Sequence, residues 1–478
     1  MSRRTLVTGG AVIALFALAL AVRLGQHHAA LLYPDGYQYL LMARGISEDL
    51  EPTTELGPHG DRFVPIPDAA VKPFFPLLVA GAHGLGLPWL DAARLVTAVA
   101  GAVAVVALAL LVAGLSGSMP AGIGAGLLLA ASPSVGFWSG FSGPDPVAQA
   151  LVLCAALAFV HRRPTAGGIL TGFAIATRPE VALVAAAAAI VALRRGDTRR
   201  DLVRAAPGAL LSLSAVFLVL RTPLGLQDRR LLLLGLLALG AVAAGAFLPP
   251  RVLRYLAVAA GGLVAAALLT QSGPGELWRN DWPLLVLGGL GALLLLRDER
   301  RSAVPAVVLA VVLLLGAVYV LKNPTLARYF SLLLPAAAVL AGAAVASLPA
   351  PARPAAFAAM VAAAALGFLH PVPGSRDYDV FSIVAERVGP RLESRALVTA
   401  APDAYGFWLP EHTVRAMRPG ARGAVLLDAA QRLYEPHLGA EGVVVARVTE
   451  EIAFARPNGD IDAASAVLVA GRVVSRPR

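Results

Sequence analysis

The chain has 478 residues, 58% of them hydrophobic and only 15% charged, with a formal net charge of +10 and a mean hydropathy of +0.72. Soluble globular proteins average about 45–50% apolar and about 25% charged residues, so the composition excludes a wholly soluble globular protein. Most of the basic residues are arginines in short connections, which fits membrane orientation rather than nucleic-acid binding, and the lone Cys154 excludes an intrachain disulfide.

Apolar runs recur from Leu6 almost to Leu369. A bilayer core about 30 Å thick takes roughly 20 apolar residues per helix, whereas barrel strands are about ten residues long and alternate. The Leu- and Ala-rich runs therefore predict an all-α polytopic membrane protein of about 13 segments. The first, 5–24, follows Arg3 and Arg4 and imitates a secretory signal, but its length and the spans after it predict an uncleaved helix with a cytoplasmic N-terminus. Residues 25–90 form a polar outward loop carrying Asp35, Glu48, Asp49, Glu51, Glu55, His59, Asp61, Asp68 and Lys72.

Further segments fall near 91–114, 119–138, 144–160, 165–177, 179–193, 204–220, 231–249, 252–270, 282–296, 303–321, 329–348 and 352–369. Thr177-Arg178-Pro179-Glu180 separates two short ones, because Pro179 breaks a continuous helix. With that break counted, the basic connections at 162–163, 194–204, 251–254, 297–301 and Arg353 lie in the cytoplasm; Arg221, Arg229 and Arg230 depart from the rule. Short outward loops are expected at 139–145, 271–281 and 322–328.

Beyond Pro371, Pro373 and Gly374 the composition changes. Strand-like runs at 396–400, 424–427, 443–448 and 466–474, a helix at 428–438 and a hairpin signal at Asn458-Gly459 predict a small α/β domain. The organisation expected is a membrane domain, 1–370, and an extracytoplasmic domain, 371–478, of about 100 residues.

The stretch Tyr33-Pro34-Asp35-Gly36-Tyr37-Gln38-Tyr39-Leu40-Leu41-Met42-Ala43-Arg44-Gly45 sets a carboxylate, aromatic rings and a guanidinium at the membrane surface. An ionisable group at that depth invites a functional reading. Asp35 also suits the N-cap of a helix over 36–46.

This stretch resembles the early acidic loop of the GT-C superfamily of membrane glycosyltransferases, and within it the protein mannosyltransferase and aminoarabinose transferase branch (family 39-like). Four more stretches resemble the same branch: Lys72-Pro73-Phe74-Phe75-Pro76, Ser142-Gly143-Pro144-Asp145-Pro146, the Gly-rich run from Gly168 to Thr177-Arg178-Pro179-Glu180, and Ala327-Arg328-Tyr329-Phe330. Three positions depart from it: Gly36 stands where an Asp-Glu pair has its second acid, Phe74 where a second proline is usual, and Asp145 where Glu is more usual.

The resemblance implies a polyprenyl-phosphate-linked sugar donor, a glycan, lipid or protein acceptor, and a site on the outer face of the plasma membrane. It implies Asp35 as base, Lys72, Arg328 and then Arg178 as phosphate ligands, and Asp145, Tyr37 and Tyr329 as substrate contacts. No second carboxylate is placed as a nucleophile, so one inverting displacement is expected. Other roles stay open: Lys72 as a snorkelling residue, Arg178 paired with Glu180, and Asp145 as an N-cap or a sugar or metal contact. Asp35 and Asp145 are hard oxygen ligands, so a divalent metal stays open as a cofactor. The rival functions are a transporter or flippase of lipid-linked sugars, which would need charge deep in the spans and paired halves, and a non-catalytic scaffold.

Overall fold

The computed structural model describes residues 3–25, 34–50, 54–55, 62–63, 72–140, 143–182, 184–186, 199–220, 272–297, 333–370, 380–393, 395–428, 435–456 and 459–475, with isolated positions between them. Most of these residues are helical, because backbone in lipid must satisfy its N–H and C=O groups within its own segment. In chain order come α1 (Arg3–Gly25), α2 (Pro34–Asp49), the strand pair β1 (Thr54–Glu55) and β2 (Arg62–Phe63), α3 (Phe74–Gly84), α4 (Trp89–Ser116), α5 (Met119–Ala130), α6 (Pro133–Gly140), α7 (Asp145–Val160) and α8 (Pro164–Thr177). They are followed by α9 (Arg199–Val219), α10 (Ser272–Arg297), α11 (Leu333–Ser347) and α12 (Arg353–Leu369).

Four described helices are long and apolar enough to cross a membrane, five if the bent pair α5–α6 counts as one span. The expected segments at 231–249 and 303–321, and most of 179–193 and 252–270, lie outside the described residues.

Two expectations are corrected. The predicted span 119–138 is broken into α5 and α6, which meet at 66°. Ser132 makes the corner: its Oγ accepts the Val135 N–H at 3.2 Å and donates to the Asp281 carboxylate, with Pro133 supplying a preset first helical residue. The expected loop 271–281 is instead the first part of α10, which breaks at Asp281 (φ −123°, ψ 19°) just before Pro283. The stretch 25–90, expected to be a polar loop, also holds a helix not anticipated from sequence, α3, built on the apolar run after Lys72-Pro73.

Helices α8 and α9 approach closely through small residues. A Cβ on Gly168 would collide with the Ala205 carbonyl, and one on Gly172 with the Ala209 carbonyl. The four-residue spacing on both helices forms a small-xxx-small seam. Ser212 Oγ donates across it to the Ile169 carbonyl at 2.9 Å.

The C-terminal part contains α13 (Val380–Val388), β3 (Leu397–Thr399), α14 (Pro402–Trp408), β4 (Val414–Ala416), β5 (Arg422–Leu427), β6 (Leu438–Arg456) and β7 (Gly459–Ser475). The strands form one sheet in the order β4-β3-β5-β7-β6, with β3 parallel to both neighbours and the rest antiparallel. The hairpin expected at Asn458-Gly459 closes with Arg456 opposite Gly459. The helix expected over 428–438 falls largely outside the described residues, and Leu438 begins β6. One hydrophobic core joins α2 and α3 to this sheet: Tyr37, Leu40, Phe75 and Val79 pack in the same cluster as Phe381, Val384, Tyr405 and Leu426.

Overpacking the α8–α9 seam with Gly172→Leu is expected to cost about 1–3 kcal/mol. Its thermal unfolding midpoint in detergent should fall, while Gly81→Ala, where a Cβ meets nothing within 4 Å, should leave the midpoint unchanged or slightly raised.

Candidate active site

Helix α8 stops at Thr177, whose Oγ1 donates back to the Phe173 carbonyl at 2.8 Å. Arg178 turns to extended backbone (φ −144°, ψ 110°) while its N–H still reaches the Ala174 carbonyl. Its side chain is buried. Nη1 pairs with the Asp145 carboxylate, while Nε and Nη2 reach the two Glu180 oxygens at 3.5 and 3.3 Å. The guanidinium is therefore held by two carboxylates, one from the start of α7 and one just beyond α8. The expected Arg178–Glu180 pairing is present, and Asp145 joins it.

Asp145 is the first residue of α7, and Pro144 occupies the cap position. The N-cap reading of Asp145 is thereby corrected, because its carboxylate is committed to Arg178.

Lys72 stands beside this cluster, half-buried, ahead of α3. Two consecutive aromatic rings fix its position. Phe74 stacks on Phe173 of α8, with centroids 4.6 Å apart, and Phe75 meets Tyr39 of α2 edge-on at 5.5 Å. Burial pushes the Glu180 carboxyl up, but the Arg178 and Lys72 charges, a backbone N–H and the Arg178 hydrogen bonds hold it well below the usual carboxylate range. Two cations and two carboxylates thus meet here with formal charges balanced, as a partly dry site requires.

Helix α2 packs on α3. It begins at Pro34, two residues earlier than expected, so Asp35 lies inside the first turn and not at an N-cap ahead of it. A carboxylate in a first helical turn is favoured by the macrodipole.

Tyr37, expected to touch substrate, is completely buried and faces the C-terminal part. Its hydroxyl accepts the Trp408 indole N–H at 2.7 Å, and its ring meets Phe381 and Phe407 at 5.6 and 5.5 Å. One turn pair further on, Arg44 lies 5.0 Å over the Phe407 ring and donates to the Phe407 carbonyl at 3.5 Å. Trp408 and Phe407 carried no motif in the sequence, because their partners are far away in the chain. Arg328 and Tyr329 lie outside the described residues.

Two further acids, Glu276 and Asp281, are buried on α10. Burial pushes Glu276 up from 4.5 to about 7, with Arg279 pulling it down and Asp281 adding to the rise. Sequence reading passed over both because they sit in what looked like an ordinary polar loop. Among the described residues no group of three His, Cys, Asp or Glu side chains is gathered to hold a metal ion.

Neither a protein-family model nor a curated protein sequence matches the chain. Among solved structures, the chain is similar to ArnT from Cupriavidus metallidurans bound to undecaprenyl phosphate, at 16% identity and a TM-score of 0.45, over 96% of this chain and 98% of that one. The apo state of ArnT gives 14% identity and a TM-score of 0.42, over 97% and 98% of the two chains. The arabinofuranosyltransferase AftD from Mycobacteria gives 15% identity and a TM-score of 0.44, over 98% of this chain and 40% of that one.

Removing Arg178 would take the counter-charge from the buried Asp145 and the half-buried Glu180 carboxylates, so Arg178→Met is expected to cost about 3–5 kcal/mol. Adding Asp145→Asn to Arg178→Met should recover part of that loss, a coupling read from a double-mutant cycle of unfolding midpoints. For Glu276 the folded chain keeps, between pH 4.5 and about 7, a proton that the unfolded chain has released. Stability should therefore fall as pH rises through that window, and Glu276→Gln should flatten the slope of unfolding midpoint against pH.

Proposed function

We propose that the protein is a membrane glycosyltransferase that moves a sugar from a polyprenyl-phosphate donor to an acceptor hydroxyl on the extracytoplasmic face. The observation that carries this reading is Lys72. It is half-buried at a helix start, wedged by Phe74 and Phe75 between α2 and α8, beside the charge-balanced cluster of Arg178, Asp145 and Glu180. A residue that merely snorkelled to the interface would need neither the aromatic wedge nor the counter-charges.

In this reading Asp35 takes the proton from the acceptor hydroxyl as its oxygen bonds the anomeric carbon. The bond from that carbon to the phosphate oxygen breaks in the same step, and its electron pair leaves on the phosphate. Lys72, with Arg328, stabilises that developing charge. One displacement inverts the anomeric centre. Arg178 has both edges occupied by carboxylates, so its part is to lock α7 to the end of α8 and to set the field around Lys72, rather than to bind phosphate first. Asp35 and Asp145 are the acids a divalent cation would meet in this site, and a metal remains part of the proposal for testing by chelation.

The C-terminal part, tied to α2 through Trp408 and Phe407, holds the helix that carries Asp35. The N-terminus lies in the cytoplasm and the C-terminal part outside, so the arginine-rich connections face inward.

The test is transfer of labelled sugar from a panel of polyprenyl-phosphate hexoses and pentoses by the purified full-length protein. Asp35→Asn is expected to lower the rate about 10²–10⁴-fold, and Lys72→Met to weaken use of the donor. Near-normal transfer by folded Asp35→Asn protein would rule out the assigned base.

A further inference from the structure

Asp281 sits where α10 breaks, outside the candidate spans, and is 2% exposed. Its Oδ1 accepts the Ser132 hydroxyl at the α5–α6 corner. Its Oδ2 and the Oγ of Ser134, the second residue of α6, are both buried, and neither completes a hydrogen bond among the described residues. The Ser134 hydroxyl and backbone N–H are nevertheless near enough to act on the carboxyl.

Among the described residues no cation faces this acid. The helices packed on α10 are α6, α11 and α12. Neither α6 nor α11 carries a charge, and α5 carries none either. On α12 the one charge is Arg353, its first residue. The corner meets that helix near its other end, where a Cβ on Gly367 would strike the Ala131 carbonyl, so Arg353 lies about 20 Å along the helix. His370, exposed, follows α12. On α10 itself Arg297 ends the helix, about 24 Å from Asp281. Arg279 pulls on Glu276, whereas burial and the two serines govern Asp281.

One proton satisfies both orphaned atoms. A carboxylate taken from water with no cation beside it is costly, and a serine hydroxyl accepts a hydrogen bond as well as donating one. We propose that Asp281 is held as the neutral acid, its Oδ2–H donating to Ser134 Oγ, and that this proton latches the break of α10 to the α5–α6 corner, so that its loss to solvent loosens α6. Burial pushes the acid up from 3.8 to about 6, against the pull of the serine hydrogen bonds. Helix α6 leads through a short connection to Asp145 of α7, so the latch acts on the approach to the candidate site. The proposal does not rest on the transferase reading, because its readouts need no turnover.

The test uses purified full-length protein in detergent, with Glu276→Gln and His370→Gln introduced together to remove the other titratable groups nearby. Infrared spectra should show the carbonyl band of a buried carboxylic acid that fades as pH rises through about 6. Asp281→Asn, whose amide can make both hydrogen bonds without the charge, should remove that band. Hydrogen exchange of the α6 amides, corrected for the intrinsic rise of exchange with pH, should quicken on the order of tenfold through the same range and stay slow in Asp281→Asn. Between pH 3.8 and about 6 the folded chain keeps a proton that the unfolded chain has released, so the unfolding midpoint should fall as pH rises there, and Asp281→Asn should flatten that slope. Should Asp281→Asn fail to fold, Ser134→Ala decides: it removes the acceptor, and a shift in the frequency of the acid band supports the latch. Three results overturn the proposal: no acid band that Asp281→Asn removes, α6 exchange that does not respond to pH, or, where Ser134→Ala decides, an acid band that it leaves in place.

Discussion

A guanidinium withdrawn from water must meet negative charge along the edges it presents, and that requirement organises the centre of this molecule. Arg178 can stay buried only because Asp145 opens one helix and Glu180 follows the end of another. The geometry of both helices is thereby coupled to one side chain. Pro179 stops α8 at the right residue, the glycines of α8 let it lie close against α9, and Pro144 starts α7 with its first acid facing the cluster. Lys72 enters this field from a third direction, carried by the Phe74–Phe75 wedge.

The C-terminal sheet does not behave as an appendage. Its helices reach across to α2, where Trp408 bonds Tyr37 and Phe407 receives Arg44. Edge-to-face rings such as Tyr37–Phe381 and Phe381–Tyr405 add direction to what would otherwise be nonspecific apolar burial. Helices α2 and α3, short and set among polar residues, share their core with that sheet.

Much of this was legible in the sequence where the signal was local. The runs that became α1, α4, α7 and α12, the break at Pro179, the Arg178–Glu180 pairing and the β6–β7 hairpin all rest on hydropathy, proline stereochemistry or turn chemistry within a few residues. What escaped depended on partners distant in the chain. The corner at Ser132 donates its second hydrogen bond to Asp281, 149 positions away. Tyr37 read as a substrate contact because its indole partner is invisible from a motif. Arg23, inside the apolar run 5–24, folds inward onto Gly101, and nothing in sequence distinguishes such an arginine from one that snorkels.

The hydrogen bond between Tyr37 and Trp408 spans 371 positions, and that separation sets an order of events. Helix α2 is made early, but Trp408, the side chain that fixes it, is made 371 positions later and must itself be set by the folding of the C-terminal part. Contacts of such range form late and slowly. The nascent chain therefore carries α2 through synthesis of the intervening helices without the partner that fixes it, and the final packing of that helix waits on the C-terminal sheet and its helices.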